Sequence, residues 1–174
     1  MRFALRRTRD SIPAVVVRSL GLEPGESVRA SAQDSEGRWY AGTERALIVP
    51  EGDHFRRVPW ETIERAGWDR DSEHLVVVET AEFGRQQPTH RASLEAEGRL
   101  LELLRERVTA SIVVTHFEPV EGKRGITVSA RRSPHTDAEL VWTVLVDKGL
   151  DADSPPVREA AKRGLAAARS EIGE

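Results

Sequence analysis

Histidine is the residue type in this chain best suited to binding a metal or moving a proton. The two histidines closest in sequence are sixteen residues apart, so none of the spacings that place two imidazoles on one face of an element occurs. We therefore predict no metal site and interpret the histidines as surface or strand-end residues. They are His54, His74, His90, His116 and His135.

The segment 69–73 carries acidic residues at alternate positions, as a calcium-binding loop does. The sixth position of such a loop needs a glycine for its tight turn, and the twelfth needs a bidentate glutamate. Here those positions are His74 and Thr80. A solvent-exposed hairpin turn is the interpretation that these residues favour.

The sequence offers no assembled nucleophile or phosphate loop. Cysteine is absent, and neither G-x-S-x-G, G-x-G-x-x-G nor a P-loop motif occurs. Asp53-His54 and Glu73-His74 are sequence neighbours, but adjacent strand residues point to opposite faces, so neither is expected to be an acid–base pair. We predict that the protein is not an enzyme and binds no cofactor. An enzyme whose site combines distant segments is the most remote alternative.

Arginine clusters are the one positive functional signal. Two adjacent pairs lie at 56–57 and 131–132, and four arginines crowd the first nine residues. Such clusters can bind an anionic membrane surface or nucleic acid, although the near balance of charges (net −3) argues against nucleic acid. Solvated faces and cross-strand ion pairs are the other interpretation. The candidate anionic-surface residues are Arg2, Arg6, Arg7 and Arg9.

Composition is that of a folded protein, with 39% apolar and 32% charged residues in a chain of 174. The apolar run 14–17 is shorter than the ~7–15 residues of a signal peptide core, and no stretch approaches the ~20 residues that cross a bilayer. We therefore expect a cytoplasmic protein. Arginine greatly outnumbers lysine and asparagine is absent, which indicates a GC-rich bacterial genome such as that of an actinobacterium.

Short extended segments predominate before residue 93. Alternating or branched residues predict strands over 27–32, 38–42, 46–50, 55–60, 63–68, 74–79 and 89–92. Residues 43–45 predict a hairpin turn and Pro59 a bend. Three further strands are predicted over 112–117, 126–130 and 140–146. We interpret the four tryptophans as core anchors rather than a ligand platform, at Trp39, Trp60, Trp68 and Trp142.

Helical periodicity appears in three places. Residues 12–20 carry a weak signal, with Pro13 in the first turn. A stronger signal covers 93–108, with Ser93 as the N-cap and an apolar face of Leu94, Leu101, Leu104 and Val108. A final helix begins after Ser154, and we expect it to dock on the 112–146 strands. Its apolar stripe comprises Val157, Ala161, Leu165, Ala168 and Ile172.

The segment Trp39-Tyr40-Ala41-Gly42-Thr43-Glu44-Arg45-Ala46-Leu47-Ile48-Val49, followed by Val58-Pro59-Trp60-Glu61-Thr62-Ile63, resembles bacterial pleckstrin-homology-like (PH-like) domains. In that family a strand ending in threonine leads through a polar-Arg turn into an aliphatic strand, and an I-P-x-x-x-I segment begins the next one. The resemblance covers roughly residues 25–108 and implies an antiparallel β-barrel or bent sheet capped by a helix. It carries no fixed set of functional residues.

We therefore expect an α+β protein with a PH-like domain and N-terminal arm over 1–108. A three-stranded β-meander and a C-terminal helix follow over 109–174 and pack on it. The expected function is a non-catalytic binding or scaffold module whose partner is another protein, through an exposed sheet edge or variable loops. The alternative is peripheral binding to an anionic membrane surface through the N-terminal arginines.

Overall fold

A four-stranded antiparallel sheet forms the first part of the molecule. The computed structural model describes residues 12–94, 98–135 and 138–174, and helix α1 (Ala14–Ser19) opens it. The strands follow in the order β1-β2-β3-β4. Their bounds are β1 (Val28–Gln33), β2 (Trp39–Thr43), β3 (Ala46–Glu51) and β4 (His54–Pro59).

Strand β3 is covered on both faces, which explains its unbroken apolar sequence. Leu47 and Val49 point into the main core, whereas Ala46 and Ile48 pack with Leu20 on the side of α1. Neighbouring strand residues face opposite sides. A strand buried on both sides therefore needs apolar residues at every position.

The turn between β2 and β3 is organised by the fully buried Thr43. Its Oγ1 accepts the N–H groups of Arg45 at 3.1 Å and Ala46 at 3.0 Å. Its carbonyl accepts the Trp60 Nε1–H at 3.3 Å. A threonine here satisfies the turn's donors, and it ties the turn to the largest side chain in the core.

A second sheet, ordered β5-β6-β7, consists of β5 (Ile63–Asp69), β6 (His74–Glu79) and β7 (Thr89–Ala92). The predicted hairpin at 69–74 joins β5 to β6. Of the two expected forms, a β-barrel or a bent sheet, the barrel is not observed, because among the described residues none of the sheets closes. Strand β4 ends at Pro59, which has no N–H to donate. The 3-10 turn Trp60–Thr62 then changes the direction of the chain, so that β5 begins a separate sheet. One isolated bridge, Asp34 to Leu94, joins the two sheets at a corner.

Helix α2 (Arg99–Ser111) packs on the first sheet and on β5. Leu101, Leu104 and Val108 are buried as predicted. The predicted N-cap is wrong, because the cap residue is Gly98. Ser93 lies outside the helix, and its carbonyl accepts the Ser35 N–H at 2.8 Å. Leu94 has the spacing of the helix face, but it is buried because it bridges to Asp34 at the corner between the sheets. Spacing alone does not distinguish burial on a helix face from burial at such a bridge.

The remaining strands form a meander, ordered β10-β9-β8, that carries the last helix on one face. They are β8 (Ile112–Glu121), β9 (Arg124–Arg131) and β10 (Val141–Val146), followed by α3 (Pro155–Ile172). Docking of α3 on these strands is confirmed, since its buried residues share a core with β8 and β9. Ser154 is the N-cap residue, although its hydroxyl donates to the Asp151 carbonyl at 2.7 Å instead of accepting a helix N–H.

The predicted stripe of α3 is confirmed at Val157 and Ala168, but in the middle of the helix the buried positions lie one residue earlier than predicted. The buried positions are Val157, Ala160, Gly164 and Ala168, whereas Leu165 lies half-buried on the flank. A Cβ on Gly164 would lie 3.0 Å from Val128 Cγ2 and 3.1 Å from Ile126 Cδ1. The helix therefore approaches the sheet through its smallest residues, which an apolar pattern does not reveal.

Arg131 links the meander to the first part of the chain. Its side chain is only 3% exposed and lies 3.6 Å from the Glu64 carboxylate. The guanidinium donates to the Glu64 carbonyl at 2.8 Å and to Ser111 Oγ at 3.2 Å. Burial lowers the pKa of Arg131, and the neighbouring Glu64 opposes that shift.

Candidate functional site

Strand β10 is an edge strand whose free side is open. It pairs with β9 alone, from Val141 opposite Arg131 to Val146 opposite Ile126. The Asp147 N–H donates to the Gly125 carbonyl at 3.0 Å. Hydrogen-bonded pairs alternate along an antiparallel ladder, so the backbone groups of residues 143 and 145 are directed at β9. Those of 142, 144 and 146 point away from β9, and no described residue bonds to them.

This open edge borders a cleft of about 620 Å³. Four consecutive residues of β10, 143–146, line the cleft. Because neighbouring side chains point to opposite faces, a run of four lining residues places the edge of the strand along the cleft. All six residues of β10 are half-buried, whereas most of β9 is buried.

The opposite wall comes from the second sheet. Glu64 and Arg65 of β5, Thr89 of β7 and most of the loop 80–87 line it. At one end this loop meets the turn after β10, where a Cβ on Gly84 would lie 3.0 Å from the Ala152 Cβ. Segments some eighty residues apart in sequence therefore build the cleft together.

The charged residues of the cleft are balanced in sign. Three are acidic and three are basic, and threonine and glutamine side chains lie among them. A lining of this kind offers hydrogen bonds to a polar backbone but no strong field for a single highly charged ligand. The charged residues are Glu64, Glu82, Asp147, Arg65, Arg85 and Lys148.

The arginines singled out by the sequence are not brought together into a described site. Arg2, Arg6, Arg7 and Arg9 lie outside the described residues, so anionic-surface binding through them stays a prediction, which salt-sensitive association with anionic vesicles would test. The pair at 56–57 is engaged within the fold: Arg56 binds Glu79 at 2.6 Å and Arg57 binds Glu26 at 2.7 Å. Both arginines form ion pairs inside the fold, but neither pair joins neighbouring strands of one sheet, because Glu79 lies in the second sheet and Glu26 precedes β1.

Acid–histidine contacts occur in several places, but they do not converge. Asp53 and His54 do come within 3.5 Å, because Asp53 lies in the β3–β4 turn and not on a strand, and both are exposed. His116 binds Glu171 at 2.9 Å across the β8–α3 contact. Within the described part of the chain, no three histidine or carboxylate side chains form a group that could hold a metal ion.

Two of the tryptophans interpreted as core anchors are buried, Trp60 fully and Trp39 to within 9% exposure. Trp142 is different. It is half-buried on β10, and the Arg169 guanidinium lies over its ring, 5.5 Å from the centroid. Its position beside the open edge could not be read from its spacing.

The Glu44 carboxylate, in the turn between β2 and β3, has a strongly lowered pKa. Burial alone would raise its pKa, but hydrogen bonds from the Ser27 N–H at 3.0 Å and hydroxyl at 2.8 Å, with the Arg29 guanidinium, lower it from 4.5 to about 2. The side chain is 10% exposed. The ionised carboxylate therefore holds the β2–β3 turn to Ser27, the residue directly before β1.

We expect this carboxylate to make stability depend on acid. A depressed folded-state pKa contributes stability above pH 4.5 that is lost as the pH falls toward 2. Glu44→Gln removes a hydrogen-bonded charge and is expected to cost about 2 kcal/mol at neutral pH, and to flatten the dependence of the melting temperature between pH 4.5 and 2. Glu36→Gln is the control, since that side chain is 68% exposed. If the melting temperatures of the two variants depend on pH in the same way, Glu44 is not the source of the acid dependence.

Comparisons with known proteins find no counterpart. No protein-family model, no curated protein sequence and no solved structure matches the chain. Among the described helices, none combines the length and apolar content needed to cross a bilayer. Function must therefore be argued from the site itself.

Proposed function

We propose that this protein is a cytoplasmic, non-catalytic binding module that captures an extended peptide segment of another protein by strand addition to β10. The observation that carries the proposal is the free backbone edge of β10 along the cleft. Unpaired strand N–H and C=O groups form a template for a further strand, and main-chain hydrogen bonds then supply affinity.

The other edge of the meander is protected in the ways that sheet edges usually are. Strand β8 has register irregularities near both ends, between 112 and 114 and between 119 and 121, and carries Pro119. Bulges and proline prevent edge-to-edge pairing. In contrast, β10 is regular, uncharged and free of proline. The contrast between the two edges supports β10 as the one that accepts a partner.

The shape of the cleft favours a single peptide over the edge of a folded sheet. The loop 80–87 lines the cleft opposite β10, so the free edge faces a wall and not an open flank. At ~3.3 Å per residue, residues 142–146 span about 17 Å. This length matches a segment of about five residues, which an unfolded tail or loop of a partner can supply.

The order of elements also supports the proposal that residues 25–108 are PH-like. A four-stranded and then a three-stranded antiparallel sheet are followed by one helix, in agreement with the order expected from the resemblance. On this proposal the meander is an added part that supplies one wall of the peptide site.

The proposal is tested with peptides selected from a display library of unstructured sequences against the full chain. Val144→Pro removes an outward-facing N–H and is expected to weaken binding of the selected peptides at least tenfold. Thr115→Pro is the matched control. Thr115, on β8, lies opposite Ser129 of β9, so the same alternation directs its N–H to the far edge of the meander. Melting temperatures and circular dichroism identify variants that fail to fold.

Methylation of the peptide nitrogens gives a second readout that leaves the protein unchanged. In strand addition, methylation at alternate residues abolishes binding and methylation between them is tolerated. The proposal would be overturned if Val144→Pro leaves binding unchanged and if binding does not depend on which peptide nitrogens are methylated.

A further inference from the structure

One face of β10 presents an apolar strip that α3 does not fill. Helix α3 packs chiefly on β8 and β9. On the same face of the sheet, the side chains of Trp142, Val144 and Val146 contact the edge of that core but remain half-buried. Leu150, in the turn that follows, is half-buried beside them. The sheet is therefore wider than the helix that covers it.

The opposite face of β10 carries Thr143 and Leu145 and looks onto a wall that is mostly polar. That wall includes Thr80, Gln87 and Thr89. The ion-forming residues Glu64 and Arg65 belong to the same wall. A strand added to β10 would thus have the apolar strip on one side and this mostly polar wall on the other.

On the basis of the proposed function, we infer that the partner segment is amphipathic with a period of two, with apolar residues at alternate positions. In an added strand, the residues opposite 142, 144 and 146 place their side chains on the α3 side. There they extend the apolar strip and cover the half-buried β10 side chains. The intervening residues face the polar wall, where side chains capable of hydrogen bonding are favoured.

Trp142 is the residue that determines this preference. It is the largest side chain of the strip, and the Arg169 guanidinium over its ring holds its orientation from the helix side. Aromatic residues form favourable cross-strand pairs with branched aliphatic ones. We therefore expect a valine, isoleucine or aromatic residue opposite or diagonal to Trp142 to contribute most.

The test compares two lysine-capped peptides of identical composition, one alternating valine with threonine and one with the valines in a single block. The alternating peptide is expected to bind the full chain at least tenfold more tightly, measured by titration calorimetry. Trp142→Ala is expected to remove most of that difference. Phe117→Ala removes an aromatic side chain that is 49% exposed on β8, at the other edge of the meander, and should leave the difference in place.

The possible outcomes separate this inference from the proposed function. If both peptides bind equally and Val144→Pro weakens the binding of both, strand addition stands and the period-two preference is wrong. If Trp142→Ala leaves the discrimination unchanged, the apolar strip is not the determinant and the inference fails. If neither peptide binds and no library peptide depends on Val144, both the proposal and the inference are overturned.

Discussion

Arg131→Ala is expected to lower the free energy of unfolding by about 3–5 kcal/mol, since removing one partner of a buried ion pair leaves the other uncompensated. Glu64, whose side chain is 14% exposed, would lose its cation. The Glu64 carbonyl and the Ser111 hydroxyl would each lose a donor. For a chain of this size the melting temperature should fall by roughly 10 °C. Urea unfolding monitored by circular dichroism measures the loss.

Arg124→Ala is the matched control on the same strand. Its side chain is 48% exposed and pairs with Glu121 at 2.8 Å, and such surface pairs contribute about 0–1 kcal/mol. The double variant Arg131→Met with Glu64→Leu should recover much of the stability, because a buried ion pair can be replaced by apolar residues of similar size. A loss of less than 1 kcal/mol in Arg131→Ala would show that the link between the meander and β5 is not a determinant of stability.

Gly164→Leu is expected to destabilise the protein by about 3 kcal/mol through overpacking. Already at its Cβ the new side chain would press against Val128 and Ile126. Both of these neighbours are fully buried residues of β9, so α3 itself must move away from the sheet. That movement would uncover Ala160 and Ala168. Chemical unfolding measures the change in stability, and binding of a hydrophobic dye reports the uncovered surface.

Ala166→Leu provides the comparison, because it adds a leucine side chain two residues away on the exposed side of α3. Its effect should lie within about 0.5 kcal/mol, as for most surface changes. Similar stabilities for the two leucine variants would mean that α3 does not approach the sheet through Gly164. The variant Leu165→Asp should have an intermediate effect, since Leu165 lies on the flank of the contact.

Local sequence patterns predict most helices and strands of the fold. The ten strands and the last helix follow from period-two and helical patterns, and Thr43 and Pro59 mark the turns at which the chain changes direction. These signals are local because hydrogen bonding, side-chain alternation and turn geometry depend on a few neighbouring residues. The exceptions are instructive. Leu94 has the spacing of a helix face but is buried at a sheet corner. Helix α3 approaches the sheet at Gly164, where there is no room for a side chain.

The candidate site, in contrast, could not be predicted from local sequence. Residues 143–146 are recognisable as a strand, but nothing in them states that β10 lies at an edge or that the loop 80–87 stands opposite. A sequence signal was nevertheless present: β10 is a strand of large apolar residues. Only the observation that α3 covers β8 and β9 shows that this apolar surface is left half-exposed.

The sequence by itself determined the α+β class, the succession of strands and helices, and the pairing of apolar faces that requires α3 to dock on the meander. These follow from periodicity, because each amphipathic element must bury one side. Only the tertiary structure decided that the sheets stay separate, that Arg131 meets Glu64 and that β10 borders a cleft. Each of these depends on contacts between segments far apart in the chain, whose geometry is set by packing and not by local preference.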